Sequence, residues 1–283
     1  MHLVESAGLS MDLNTVSEIA HPRSRAQLPV WTAGDAWLAG GTWLFSEPQP
    51  QLTRLIDLVD LNWPALTVSA SELSVAATCT VAQLDAFACP PEWIASPLIN
   101  QCCRAFLASF KIWKTATVGG NICMSLPAGP MISLTSALDG VCTIWQADGG
   151  ERKIPVARFV TGNQSNLLAP GDLLRQIDIP LAALKRRCAF RRISLAPLGR
   201  SAALLIGSVA GDGNFALTVT ASTVRPKQMS FVGMPGAKEL RETILQNISD
   251  DLYHTDVHGK PAWRKHMTLR LAEEIRGELD ARP

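Results

Sequence analysis

The chain has 283 residues, 47% of them hydrophobic and 18% charged, which excludes a disordered, solvating chain and leaves room for one large domain or two to three modest ones. With 26 basic and 25 acidic residues the net charge is +1, so no global field draws in nucleic acid or an anionic membrane. The longest apolar stretch, 201–222, is interrupted by Gly211-Asp212-Gly213-Asn214, and no segment reaches the roughly 18 to 20 residues of a membrane span.

The first twenty residues lack a basic segment followed by an apolar one, so no secretory signal is read, and Met11 is an alternative start. Trp37-Leu38-Ala39 runs into Gly40-Gly41-Thr42, and residues 52–58 (LTRLIDL) then read as a short buried strand. Residues 66–78 suit a two-stranded hairpin and 80–87 a short helix, stopped by Pro90 and Pro91. Over 93–110, Ile94, Leu98, Cys102 and Phe106 recur at helical spacing with Pro97 in the first turn. A second glycine pair, Thr117-Val118-Gly119-Gly120-Asn121, leads through a loop to the apolar segment 134–138. Residues 141–146 form a strand, Asp148-Gly149-Gly150 a turn, 153–159 a strand with or without a short helix, and 173–179 a strand ended by Pro180.

The basic run 185–192 (KRRCAFRR) reads as a solvated strand edge in which Arg191 and Arg192 face opposite ways. A hairpin turning at Gly211 follows, and a long helix over 263–279 carries Met267, Leu271 and Ile275 on one face. Boundaries are expected near 60 and 180, giving parts 11–60, 61–180 and 181–283 that pack closely because no flexible linker separates them. Seven cysteines, an odd number without C-x-x-C spacing, are expected to be reduced cytoplasmic thiols. Eight Trp against the single Tyr253 point to a thick core or a buried subunit interface.

Paired glycines let the chain turn with positive φ and present successive backbone N–H groups to an anion, so Ala39–Thr42 and Thr117–Asn121 are candidate phosphate nests. Thr42, Thr117 and Asn121 would add side-chain hydrogen bonds, although each pair taken singly also suits a plain tight turn. His254, Asp256 and His258 have metal-ligand types, but Gly259 and Pro261 oppose the helix that would align them, so no metal is assigned. There is no G-x-S-x-G elbow and no H-E-x-x-H, so the chemistry of an enzyme built on this chain would come from a bound cofactor.

In order along the chain, LAGGTWL (38–44), LIDL (55–58), ATVGGNIC (116–123), SLPAGP, ALDG (137–140), LLRQIDIP (173–180) and DVHGKPAWRKHM (256–267) resemble one family. It is the FAD-binding medium subunit of molybdenum hydroxylases, of the xanthine dehydrogenase and carbon monoxide dehydrogenase type. The resemblance implies an α+β chain: a vanillyl-alcohol-oxidase-type (PCMH-type) FAD-binding fold in two α/β parts, followed by a small C-terminal α+β domain. It implies FAD held by Leu38, Ala39, Gly40, Gly41, Thr42 and Trp43 and by Thr117, Val118, Gly119, Gly120 and Asn121, with Leu174 and Arg191 at further cofactor positions. It also implies an electron-transfer subunit that works with an iron-sulfur subunit and a molybdopterin-binding large subunit and passes electrons to a soluble acceptor in the cytoplasm. Three departures stand out: Trp43 after the first turn, Pro130 where an Asp is common, and Phe110-Lys111-Ile112-Trp113-Lys114 before the second turn. They motivate an alternative, a scaffold subunit with weakened or lost flavin binding.

Overall fold

The computed structural model describes residues 13–281, and the alternative start at Met11 lies outside them. Strands β1 (Glu18–Ala20), β2 (Asp35–Leu38) and β3 (Arg54–Asp57) form a parallel sheet in the order β1-β3-β2. The strand expected at 52–58 is β3, with Leu55 and Ile56 buried. Arg54 faces Asp35 across the β2–β3 register and grips its carboxylate in a two-pronged contact, at 2.8 Å from Nε and 2.6 Å from Nη2. These hydrogen bonds hold the Asp35 carboxyl below its ordinary range. The pair anchors the start of β2, whose other end delivers the first glycine pair.

In the middle of the chain, β4 (Leu66–Val68) and β5 (Glu72–Ala76) make the expected hairpin. Helix α1 (Val81–Asp85) starts on a capping box in which Thr80 and Gln83 satisfy each other's backbone N–H. The helix expected over 93–110 is shorter, α2 (Ser96–Ala105), because Phe106 leaves the helical conformation and Ser109 caps a new short helix, α3 (Phe110–Trp113). At its other end α2 starts only at Ser96, so Ile94 precedes the helix and is exposed. Helices α4 (Val118–Met124) and α5 (Pro130–Ala137) follow, then the hairpin β6 (Val141–Trp145) and β7 (Glu151–Pro155). Helix α6 (Val156–Phe159) and the small ribbon of β8 (Val160–Gly162) and β9 (Ser165–Asn166) lead to β10 (Leu173–Pro180).

Strand β10 enters the centre of an antiparallel sheet of order β4-β5-β10-β6-β7. Its core face carries Leu174 and Ile177, while Asp178 is buried on the other face, accepting from Ser74 and Thr143 at 2.8 Å each. Burial pushes the Asp178 carboxyl up, but these hydroxyls, Gln176 and Lys153 outweigh it and leave it below the ordinary value.

Much of the tryptophan excess lies at an inner seam. Trp37, Trp63 and Trp145 pack with Leu58, Leu61 and Leu173 between the parallel sheet and the central one. Trp37 Nε1 donates to the Asp172 carbonyl at 2.9 Å, and Trp93 is in the main core. For these residues the core alternative holds: they fill a junction within the chain.

After α7 (Leu181–Leu184), strands β11 (Arg187–Ile193), β12 (Ala203–Val209), β13 (Phe215–Thr220) and β14 (Lys227–Phe231) form an antiparallel meander. Helices α8 (Ala237–Asn247) and α9 (Pro261–Asp280) belong to the core on one face, where Met267, Leu271 and Ile275 join Leu205 and Leu217. Gly207 admits Ile275, whose Cγ2 would stand 2.3 Å from a Cβ placed there. On the other face Ser133 of α5 meets Thr220 at 2.7 Å, joining the meander to the central part. The basic run is the edge strand β11, but its arginines are engaged rather than solvated: Arg191 reaches Glu278 at 2.7 Å and Arg192 reaches Ser201 at 2.7 Å. All seven cysteines are free, and burial pushes the thiols of Cys79, Cys103, Cys123 and Cys188 up to about 12. No helix among the described residues is long and apolar enough to cross a membrane.

Candidate functional site

The two glycine pairs come together, yet they are built differently. In the first, Gly41 has φ +66°, and Gly40 lies so close to the second segment that a Cβ would stand 1.8 Å from the Thr115 carbonyl oxygen. Only glycine allows both. From Gly40 to Leu44, five successive backbone N–H groups donate no hydrogen bond among the described residues.

The second pair is not a nest but the start of α4. Thr117 is the N-cap, its Oγ1 accepting from Gly120 N at 3.0 Å, while Val118 N donates to Cys79 O at 2.8 Å and Gly119 N to Ala77 O at 3.0 Å. Neither glycine has positive φ. Gly119 is bare because a Cβ would meet the Ala77 Cβ at 2.5 Å, so it packs against the end of β5. A Cβ on Gly120 would meet only Thr117 Oγ1, at 2.9 Å.

Between the two lies a cleft of about 350 Å³. Ala39, Gly40, Gly41, Thr42 and Trp43 line it from the first turn, and Thr117, Gly120 and Asn121 from α4. Asn121 also accepts from Met131 N at 3.1 Å through Oδ1, which caps α5 and fixes the amide beside the cleft. Pro130 begins α5, where a missing N–H costs nothing, so its departure from the family pattern has a structural use.

Five expected residues do not line the cleft. Leu38 ends β2, and Val118 and Gly119 turn toward the core. Leu174 is buried opposite Ile144 in the central sheet, and Arg191 is held by Glu274 and Glu278 against α9. Strand pairing and an acidic helix face decided these placements, and neither is visible in the motifs. Conversely, Trp37, Leu44, Phe106, Ile112, Met124 and Leu126 line the cleft without having been singled out for it. Phe106 and Ile112 had one signal, their place in or next to the unusual segment before the second turn.

Trp43 and Leu126 also border a second hollow of about 310 Å³, with Arg200, His254, Asp256 and Arg264 around it. Here the D-x-H-G signature acts as a clasp. Arg264, 1% exposed, donates to the carbonyls of Ala202 and Ala221 at 2.6 Å each, to Gly259 O at 3.1 Å and to Asp256. His254 stands 3.3 Å from Asp256, and burial is the main cause holding its imidazole below the ordinary value. As expected, no helix runs through 254–258.

A family model described as the FAD binding domain in molybdopterin dehydrogenase matches residues 20–182, more than half of the chain. The chain belongs to this family. No curated protein matches the sequence. Among solved structures, a Cu,Mo-CO dehydrogenase chain in its cyanide-inactivated form superposes with TM-score 0.76 at 18% identity, covering 94% of this chain and 98% of its own. CO dehydrogenase from Oligotropha carboxidovorans gives 0.74 at 18% identity over 94% and 98%. Quinoline 2-oxidoreductase from Pseudomonas putida 86 gives 0.72 at 18% identity over 93% and 96%. At this identity the likeness shows the fold.

The residues present fit the family's FAD. Its pyrophosphate requires donors without obstructing side chains, and the bare Gly40 and Gly41 with the unused N–H groups through Leu44 meet that requirement. Helix α4 contributes its bare Gly120 and Asn121, whereas the first N–H groups of that helix are already spent.

Proposed function

We propose that this chain is the flavin-bearing electron-transfer subunit of a heteromeric molybdenum hydroxylase, placed between an iron-sulfur subunit and a soluble acceptor. The observation that carries this reading is the run of unused N–H groups from Gly40 to Leu44 beside the cleft. FAD, when bound, supplies the exchange between one- and two-electron carriers. The chain's part is to bind, orient and shield. Gly40 to Leu44 would hold the pyrophosphate, Gly120 leaves room for it, and Asn121 offers an amide already fixed by its bond to α5. Trp43, Phe106 and Ile112 supply apolar wall that keeps water out. In this reading parts 11–60 and 61–180 hold the cofactor and 181–283 completes the subunit; a third subunit binds molybdopterin and the organic substrate.

The scaffold alternative draws on Pro130, which has no side-chain donor, and on Trp43, whose ring replaces a polar group. The test is flavin content. The purified chain or complex is expected to be yellow and to release FAD stoichiometrically on denaturation. A colourless protein that stays so after reconstitution with excess FAD selects the scaffold.

A further inference from the structure

A third hollow, of about 820 Å³, lies between residues 25–31, the β6–β7 turn and the segment leading into β10. Three indoles wall it: Trp31, Trp37 and Trp145. Trp31 and Trp37 are in contact, with centroids 5.1 Å apart and planes tilted by 38°. Trp31 is seated by Gly171, which has φ +83° and whose Cβ would stand 2.9 Å from the Trp31 Cβ. The Trp37 indole N–H is fixed on Asp172 O at 2.9 Å. The walls are therefore built and do not depend on a loop closing.

The charge around these rings is unbalanced. The Arg25 guanidinium lies 4.8 Å over the Trp145 ring, and one of its nitrogens, Nη2, donates to the carbonyls of Gly149 and Gly150. Its Nε and Nη1 donate to nothing among the described residues, nor does either the Trp31 or the Trp145 indole N–H. A second guanidinium, Arg175, stands 5.8 Å from the same Trp145 ring and 4.2 Å over Trp63, with neither hydrogen bond nor ion pair among the described residues. The nearby carboxylates are occupied: Asp172 takes Arg152 at 2.8 Å and the Ala169 amide, and Asp148 takes the Gly150 amide. Burial pushes the Arg175 guanidinium down from its ordinary value, and the Asp178 carboxylate offsets only part of that shift. Cation–π contact offsets only part of such a cost. Stacking faces, free indole N–H donors and the Arg25 guanidinium at the wall, with Arg175 behind Trp145, together call for a flat ring with a negative group.

We propose that this hollow is a second ligand site, distinct from the flavin cleft, and that it takes a planar aromatic ring bearing an anionic group. It meets the flavin cleft only at Trp37. The group could come from an aromatic carboxylate or from a nucleotide, and 2-naphthoate and AMP distinguish the two.

The experiment is calorimetric titration of the purified full chain with each probe, with 2-naphthalenemethanol as the neutral control. Saturable one-to-one binding of at least one anion is expected, together with quenching of tryptophan fluorescence. The tighter of the two probes names the source. Arg25→Gln is expected to weaken binding about tenfold and Trp31→Ala by at least as much, with flavin content unchanged in both variants. No saturable binding of either anion overturns the proposal, as does equal binding of the neutral alcohol or unchanged affinity in both variants. Displacement of the probe one-for-one by FAD assigns the binding to the flavin cleft and also overturns it. So does binding that arises only after deletion of residues 1–12, which would give the hollow to that segment.

Discussion

The two glycine pairs read alike as Gly-Gly between an apolar segment and a polar residue, but they do opposite work. Gly40 and Gly41 leave backbone N–H groups unused beside the cleft, one by close approach to Thr115 and the other by positive φ. Gly119 and Gly120 are helical, and the N–H groups of that turn are consumed by Cys79 O, Ala77 O and Thr117 Oγ1. Within the second pair the labour divides again, Gly119 facing the core and Gly120 the cleft. A glycine is needed wherever a Cβ does not fit, and what occupies that space instead decides whether the reason is binding or packing.

That contrast can be broken most sharply at Gly119. Its Cβ would stand 2.5 Å from the Ala77 Cβ and 2.6 Å from the Ala77 Cα, so Gly119→Val is expected to cost at least about 3 kcal/mol and to yield little folded protein in thermal melts. A variant that folds normally would refute the packing role. Gly120→Ala is expected to do the reverse: its Cβ presses only on the cap oxygen Thr117 Oγ1, so the gain in helix propensity offsets the disturbed cap and stability changes by no more than about 1 kcal/mol, while flavin affinity falls about tenfold in an FAD titration. Unchanged affinity would remove Gly120 from the site.

At the first turn, Gly41→Ala must hold φ +66° with its Cβ 2.3 Å from the Phe45 ring, and a loss of about 1 to 2 kcal/mol with weakened flavin retention is expected. Thr117→Ala removes the α4 cap and should cost about 1 kcal/mol by urea unfolding, with Thr117→Ser restoring most of it.

The smallest effect is one of pH. The Arg54 hydrogen bonds lower the Asp35 carboxyl below its ordinary 3.8, so this pair stabilises the first turn's strand above about pH 4, and the contribution disappears as pH falls through the depressed folded value. The cap of α4 is a threonine and does not titrate. Hydrogen exchange is therefore expected to rise in β2 before α4 on acidification, and Asp35→Asn should remove that order. Equal loosening of both would sink the assignment.

Much of the fold was legible because it depends on local chemistry. Strand β3, the hairpin turning over Gly211-Asp212-Gly213-Asn214, the short helix α1 and the apolar face of α9 follow from periodicity and turn residues that neighbours in sequence supply. The break between α2 and α3 was missed because the apolar spacing continues across it, while Ser109 restarts the helix through one side-chain bond. Of the residues that line the candidate cleft, those of the first turn were legible and those of the second only half so, because a Gly-Gly motif does not say which face meets Ala77.

By itself, then, the sequence determined the kind of chain this is: a folded α+β protein with two glycine segments in the order and spacing of an FAD-binding family. Tertiary structure alone decided which of those residues face the cleft. It carried Leu174 into the sheet and Arg191 onto the acidic side of α9, brought Phe106 and Ile112 to the cleft, and gathered tryptophans from distant positions into one seam. The physical reason is that motif spacing records local backbone conformation, whereas the neighbour of a side chain is set by the packing of elements far apart in the chain.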